Sequence, residues 1–335
     1  MARHHPDSYV EQWTASVQQA LPGQINLSIT YLGAHGVHLF RRSYTNLINP
    51  ATETRSLPQF PSEIDTKYNE GMSTFNGLIL TASRRFHSGL FFSGSYMFSH
   101  ALNDGSVGAG DADAAQNIAC FRCDYANSDY DSRHSGTLSV VYDLPFGIGR
   151  HYLNSGAITN IVLGGWSVDT LYSARAGLPV NVLLTRSAIE LPDGNNVDQR
   201  PHRVQGVPLY LSTRSIKQWI NPAAFSLPTL GTWGNAGRNI ANGPALWQDD
   251  SAVEKAFHAT ERNNIIFRAE AFNMFNRAQF EQPSATLGIA TNSNAGTRTL
   301  TVPSSFGAIT STVNSAGLVG TGTPRVLEFS LRVTY

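Results

Sequence analysis

Over 335 residues, lysine plus arginine and aspartate plus glutamate each number 24, so the formal net charge is zero. That balance removes the electrostatic case for a nucleic-acid partner. With 14% charged residues, 10% aromatics and 29 glycines, the composition suits β structure with many turns, and the length suffices for a sizeable core. Apolar runs such as Gly77–Leu80 and Ile161–Leu163 fall far short of the ~20 residues of a spanning helix. Met1 to His5 leads into Pro6 and Asp7 with no apolar stretch behind it. No signal peptide is visible, and the chain is expected to lack its true N-terminus.

Tyr9, Trp13, Ala15, Val17 and Leu21 alternate with Gln12, Thr14, Ser16 and Gln18, which predicts a two-faced strand. Leu21-Pro22-Gly23-Gln24 supplies a tight turn, and Ile25, Leu27, Ile29 and Tyr31 return the chain as a hairpin. A polar, proline-containing segment follows from about Arg41 to Gly71. Leu78, Leu80, Ala82 and Phe86 mark the next strand, His87-Ser88-Gly89 turns it, and Leu90, Phe92, Gly94, Tyr96 and Phe98 run back. After a long loop, roughly Asn103 to His134, Leu138, Val140 and Tyr142 begin a strand that ends at Asp143-Leu144-Pro145-Phe146-Gly147. Val162, Trp166, Val168 and Tyr172 are assigned to its return. Gly177 to Pro244 is the longest irregular stretch; Trp247, Ser251, Val253 and Phe257 then run back, and Thr260 to Asn263 turns the chain. Ile265, Phe267, Ala269 and Ala271 rise, a loop rich in Gly, Ser, Thr and Asn spans roughly Gln279 to Pro324, and Arg325 to Tyr335 closes the sequence.

That last strand has Leu327, Phe329, Leu331, Val333 and Tyr335 on one face and Val326, Glu328, Ser330, Arg332 and Thr334 on the other. Its length matches the ~10 residues with which a tilted strand crosses a bilayer. In all, about nine long strands are joined alternately by short turns and long loops, the pattern of outer-membrane barrels. Short turns belong on the periplasmic side and long loops outside, so the ninth strand leaves Tyr335 in the periplasm. The fold class expected is all-β: an antiparallel transmembrane β-barrel segment, an open partial barrel, in the cell outer membrane of a Gram-negative-type bacterium. A soluble or secreted β-sandwich binding module stays open as the alternative, though loops this long are rare inside compact soluble domains.

Several phrases then point further. Tyr96-Met97-Phe98-Ser99-His100, Asp129-Tyr130-Asp131-Ser132-Arg133-His134, Tyr142-Asp143-Leu144-Pro145-Phe146-Gly147 and Gly164-Gly165-Trp166 come first. Gln199-Arg200-Pro201, Asn221-Pro222-Ala223-Ala224-Phe225 and the run from Phe267 to Asn276 follow. In this order, with an aromatic C-terminus, they resemble the C-terminal part of Oar-like TonB-dependent transporters over nearly the whole chain. The resemblance implies a 22-stranded barrel around an N-terminal plug, an upstream TonB box pulled by the energising complex, and a C-terminal strand read by the barrel-assembly machinery. Residues 1–335 are accordingly expected to be the C-terminal portion of such a barrel, without plug, TonB box or signal peptide. Expected partners are outer-membrane lipid, the assembly machinery, and the TonB complex only through upstream regions. The transported substrate is not legible. A passive porin or a surface adhesin is the rival reading.

Candidate chemistry is sparse. Cys120 and Cys123 form the sole cysteine pair, without a second pair to complete a zinc site. In an external loop they are expected to form a small disulfide, with free thiols as the alternative. Asp104, Asp111, Asp113, Asp124, Asp129 and Asp131 share that loop but lack an EF-hand spacing, so they read as solvated acids rather than calcium ligands. The histidines are scattered and no G-x-S-x-G elbow occurs, so neither an enzyme nor a cofactor is expected. Phe86, Phe98, Tyr142, Tyr172, Phe257 and Tyr335 are placed near strand ends as interfacial girdles. Leu327, Phe329, Leu331, Val333 and Tyr335 are expected to face lipid. Glu254, Arg268, Glu270, Glu328 and Arg332 are expected to face the lumen, with Arg268 nearer Glu254 or Glu328 than Arg332.

Overall fold

The computed structural model describes residues 6–108, 111–258, 264–292, 298–314 and 322–334. Their main feature is one antiparallel sheet. Its long strands are β1 (Tyr9–Leu21), β2 (Ile25–Thr45), β3 (Ile64–His87), β4 (Leu90–Asn103), β5 (His134–Asp143), β6 (Trp166–Arg175), β7 (Leu246–His258), β8 (Asn264–Phe272) and β9 (Val326–Thr334). They lie side by side in chain order, and the two-residue segment Ala126–Asn127 joins the rim of β4. No ladder joins β1 to β9 among the described residues, so the sheet is open. Among those residues no helix is long and apolar enough to cross a membrane.

Register turns the alternation of each strand into two continuous faces. Val17 lies opposite Ile29, Ile29 opposite Leu80, and Leu80 opposite Tyr96. At the other edge Ala269 lies opposite Phe329 and Phe267 opposite Leu331. Neighbouring side chains on one face of a sheet pack side by side. Yet this apolar face has no protein layer over it: Val17 is 72% exposed, Phe329 69% and Leu331 68%. The opposite face carries Ser16, Thr30, Thr81, Ser95, Thr137 and Ser173 in matching rows.

Tight turns fix register at one end of the sheet. His87 pairs with Leu90 across Ser88 and Gly89, whose φ angles of 51° and 80° match a two-residue type I′ turn. The connection after β7 runs through residues 259–263, outside the described set. The connection after β5 is not the short turn expected. It contains a helix, α1 (Ala157–Leu163), so Val162 belongs to that helix and β6 begins only at Trp166. A short apolar run such as Ile161–Leu163 suits either state, and only neighbours decide it.

At the other end β2 and β3 run on, reaching 21 and 24 residues. The polar segment from Arg41 to Gly71 is therefore largely strand: Phe40 pairs with Asn69 and Thr45 with Ile64, past an irregularity at Gly36–Leu39 where His38 has φ 55°. These lengths exceed the ~10 residues that a bilayer requires.

The long loops have little regular secondary structure, as expected, but they are packed. Residues 104–108, 111–133, 177–244, 279–292 and 298–314 pack into a cap over this end. Short ladders stitch it: Val180 to Ala241, Thr185 to Ile289, and Arg203 to Phe225. Its centre is a hydrophobic core containing Val182, Ile220, Ala224, Leu287 and Phe306, with the rings of Phe225 and Phe306 in edge contact at 6.2 Å. Ile220 and Leu287 are wholly buried. The molecule thus keeps its apolar core in its loops, while its sheet displays apolar side chains outward.

Candidate functional site

The polar face of the sheet and the cap above it enclose an extended polar surface that combines hydroxyls, charges and a cleft. Along the wall, hydroxyls pair across strands: Ser16 with Thr30 at 2.8 Å and Ser95 with Thr137 at 3.0 Å. Toward β6–β8 the surface becomes charged. Arg268 on β8 lies opposite Glu254 on β7, with Nη1 3.7 Å from Glu254 Oε2. Its Nε donates to Glu270 Oε2 at 3.2 Å, and Nη1 reaches the Asp169 carboxylate on β6. Asp169 registers with Ala252, whose small side chain leaves room for the guanidinium to cross β7. One cation therefore serves three acids, and Asp169 is the member that sequence reading missed. It sits on the same alternation as Ser167 and Leu171, so its face was legible. Its reach across two strands was not.

Glu328 and Arg332 do not join this group. Register puts Glu328 opposite Glu270 and Arg332 opposite Ile266, on the exposed edge strand. Among the described residues neither forms an ion pair. Leu327, Leu331 and Val333 occupy the apolar face beside Phe329, each more than half exposed. Tyr335 lies outside the described residues.

Beneath the cap, the polar face forms a cleft of about 420 Å³. Ser95, Met97, Ser135, Thr137, Ser173 and Arg175 line its wall, and Val313 closes it from the cap. Arg175 is the one charged group in that lining; its Nη1 donates to the Ala176 carbonyl at 3.3 Å. Such a surface can offer hydroxyl hydrogen bonds and one cation to a polar solute. Ser135, Thr137, Ser173 and Arg175 share the inward alternation of β5 and β6, a signal present in the sequence. That a loop beginning past residue 279 would roof them had no such signal.

Three of the loop aspartates are not the solvated acids expected. Asp104, Asp124 and Asp131 are 5% exposed or less. Asp104 and Asp124 hold arginines delivered by distant segments, whereas Asp131 pairs with its neighbour Arg133. Arg200 binds Asp124 and also donates from Nε to the Ala236 carbonyl at 3.0 Å. Arg238 Nη1 lies 3.2 Å from both Asp113 and Asp129, and its Nη2 donates to the Asn103 carbonyl at 2.7 Å. Arg41, fully buried at the top of β2, lies 3.4 Å from Asp104 and 3.9 Å from Asp124. The side chain of Asp111 lies outside the described residues. Among those described, no group of three or more His, Cys, Asp or Glu is placed to hold a metal ion. Burial pushes Asp113 up to about 6, aided by the Asp129 charge and opposed by Arg238. Burial also raises Asp104 and Asp198 above the usual aspartate range.

Cys120 and Cys123 are joined by a disulfide. It spans the start of a short 3₁₀ turn, Phe121–Asp124, and so holds Phe121 and Asp124 together as the surface that meets Arg41. The Arg41 guanidinium lies 4.5 Å from the Phe121 ring centre. The aromatics assigned to strand ends divide between the two ends of the apolar face. Phe98 packs on His134 at 5.2 Å and Tyr172 lies 6.1 Å from Trp247 at the cap end. Phe257 lies 5.0 Å from the Lys255 ammonium near the turns. Phe86 is 55% exposed there.

An uncovered apolar face, a polar face and a cap at one end only are the marks of a strand wall built for lipid on one side and water on the other. Residues 1–328 match the model of a family described as the outer membrane beta barrel domain. The chain belongs to that family. This outer-membrane barrel domain resides in the cell outer membrane, and its wall is the antiparallel sheet described above. No curated protein matches it. Among solved structures, the domain is similar to the pyoverdine outer membrane receptor FpvA from Pseudomonas aeruginosa bound to pyoverdine. Identity is 10% over 97% of this chain and 30% of that one, with a TM-score of 0.42. It is also similar to the outer membrane transporter YddB from Escherichia coli, at 9% identity over 98% and 32% of the two chains, with a TM-score of 0.41. The barrel domain thus spans about a third of the length of these structures. Likeness at these scores transfers no residue's role.

The phrases that carried the sequence resemblance land on fastenings between loops, not on reactive groups. Gln199 donates to the Gln116 carbonyl at 3.0 Å, and Arg200 N donates to Gln116 Oε1 at 2.9 Å. Asn221 donates to the Pro208 carbonyl at 2.9 Å and accepts from Ala223 N at 3.1 Å. Asn273, at φ 49°, donates to the Thr323 carbonyl at 2.7 Å and so ties β8 to the entry of β9.

Proposed function

We propose that this domain is the C-terminal part of an Oar-like TonB-dependent transporter barrel, forming a sector of its wall and of its extracellular mouth. On this reading the apolar face, with Leu327, Phe329, Leu331 and Val333 at its end, meets lipid. Glu254, Arg268, Glu270, Glu328 and Arg332 line the lumen together with Asp169. The short turns are periplasmic, β9 is the strand handed to the barrel-assembly machinery, and the TonB complex acts through upstream regions. The domain performs no covalent chemistry. Its part is to close the wall, because lipid offers no partner to an unpaired backbone group, and to present the capped cleft around Arg175 to a polar solute.

The observation that carries this reading is the coexistence of a bare apolar face with a cap that has its own buried core and covers only the polar side of one rim. A porin needs an open mouth; a wall roofed by a packed cap suits gated passage. The test is electrical. In planar bilayers this chain should give no defined, substrate-selective conductance, whereas a steady open-channel current would identify a passive pore and overturn the transporter reading.

A further inference from the structure

We propose that the connection between β5 and β6 is a membrane anchor that lies in the phospholipid leaflet on the periplasmic side; the proposal rests on the lipid-facing and orientation readings above. The connection, residues 144–165, exposes an unusual amount of apolar surface. In α1, Ile158 is 79% exposed, Ile161 61% and Val162 56%. Ile148, just before the helix, is 61% exposed. Contiguous apolar surface of this kind marks a binding face in a protein that is otherwise folded.

Of the polar side chains in the same segment, Asn160 turns inward, while Arg150, His151, Asn154 and Ser155 are exposed. Asn160 Oδ1 accepts from Ile148 N at 2.9 Å, and Gly147 approaches Gly164 so closely that a Cβ there would lie 2.6 Å from the Gly164 Cα. The segment is therefore a built unit with its apolar side chains pushed outward, not a loose turn.

Its attachment places it against the apolar face. Trp166 Nε1 donates to the Val162 carbonyl at 2.8 Å. Lys255 Nζ donates to the Gly164 carbonyl. Lys255 stands opposite Trp166 and opposite Phe267, and Phe267 stands opposite Leu331, so all four belong to one row of the apolar face. A lysine on that row would be costly in hydrocarbon, yet Lys255 is only 3% exposed. Its ammonium is satisfied by Gly164 and lies 5.4 Å from the Trp166 ring and 5.0 Å from the Phe257 ring. An amine with tryptophan and phenylalanine at the end of a lipid-facing row is the chemistry of the headgroup boundary. Ile148 and Ile161 line a common cleft with Lys255 and Phe257, which sets the exposed apolar side chains of this segment beside the end of that face. Short helices with an apolar outer side lie in this plane of a bilayer.

Photo-crosslinking in intact outer membranes tests this. Benzoylphenylalanine is placed singly at Ile158, at Ile161, at Phe329 on the apolar face and at Thr137 on the polar face, and adducts on the purified protein are identified by mass. All four sites are solvent-accessible or partly so, and heat-modifiable gel migration confirms folding of each variant. The expected result is a phospholipid adduct at Ile158 and Ile161 in a yield matching Phe329, with loss of that adduct at Thr137. Lipid adducts at Phe329 with none at Ile158 and Ile161 overturn the anchor alone. Protein adducts at Ile158 overturn it in favour of a protein partner, and lipopolysaccharide adducts there overturn the periplasmic placement. Absence of lipid at Phe329 overturns the lipid-facing reading and the anchor with it.

Discussion

At the residue scale, the arginine–aspartate fastenings decide how the loops are held. Arg238 satisfies Asp113, Asp129 and the Asn103 carbonyl at once while 4% exposed. Removing one partner of a fully buried ion pair costs about 3–5 kcal/mol, and less is expected here because Asp113 and Asp129 are 35% and 41% exposed. Arg238→Ala should therefore strip hydrogen-exchange protection from residues 103–134 while leaving the β7–β8 ladder protected. Arg238→Lys should restore it only in part, since a lysine lacks the fork that binds several acceptors. Asp113 adds a pH dependence. Its folded value, about 6, lies above the ordinary 3.8. The folded cap therefore binds this proton more tightly than the unfolded chain does. The stability gained is fully present below the ordinary value and is lost as pH rises through about 6. Asp104 and Asp198 shift in the same direction. Melting of the cap should occur at a higher temperature in mild acid than at neutral pH, and Asp113→Asn should reduce that difference. An unchanged difference in the variant would assign the effect to other groups. The acids themselves were visible in the sequence, but their counterions were not, because Arg200 and Arg238 arrive from another loop.

At the element scale, β9 gives the sharpest contrast. Phe329 and Ser330 are adjacent, equally part of the ladder and on opposite faces. Phe329→Arg should cost ~2–4 kcal/mol if the site lies near the bilayer midplane, while Ser330→Asn should cost little. Denaturant titration of the protein folded in vesicles measures both, and equal tolerance would contradict a lipid-facing Phe329. The strands were legible because period-two alternation is local. Their ends were legible only where lipid demanded alternation. Above that band, loop residues pack on β2 and bury Arg41, Ser43 and Tyr44, and Arg41–Thr45 and Ile64–Gly71 pair through backbone without an apolar stripe to announce them. Helix α1 escaped for a related reason: its outward isoleucines and Val162 carry the same apolar signal as the strand beside it.

At the scale of the whole molecule, two kinds of hydrophobic organisation coexist. The sheet exposes apolar side chains, whereas the cap buries them around Ile220 and Leu287 as a water-soluble domain does. The two should respond separately to damage. Ile220→Ala should cost the cap about 2–5 kcal/mol through the cavity it leaves. Hydrogen exchange should report faster opening of residues 179–185 and 219–226, with the β3–β4 ladder unchanged. Simultaneous loss of protection in both would mean that cap and wall fold as one unit.

The amino-acid sequence by itself determined the two-faced strands, their number, their order and the end at which the long loops gather. Each of those rests on a pattern confined to neighbouring residues or on chain parity. Tertiary structure alone decided the cap, the partners of its aspartates, the crossing of Arg268 over β7 to Asp169, and the roof over Arg175. Those depend on contacts such as that between Asn103 and Arg238, 135 residues apart, and no local period records which distant segment will supply the matching charge.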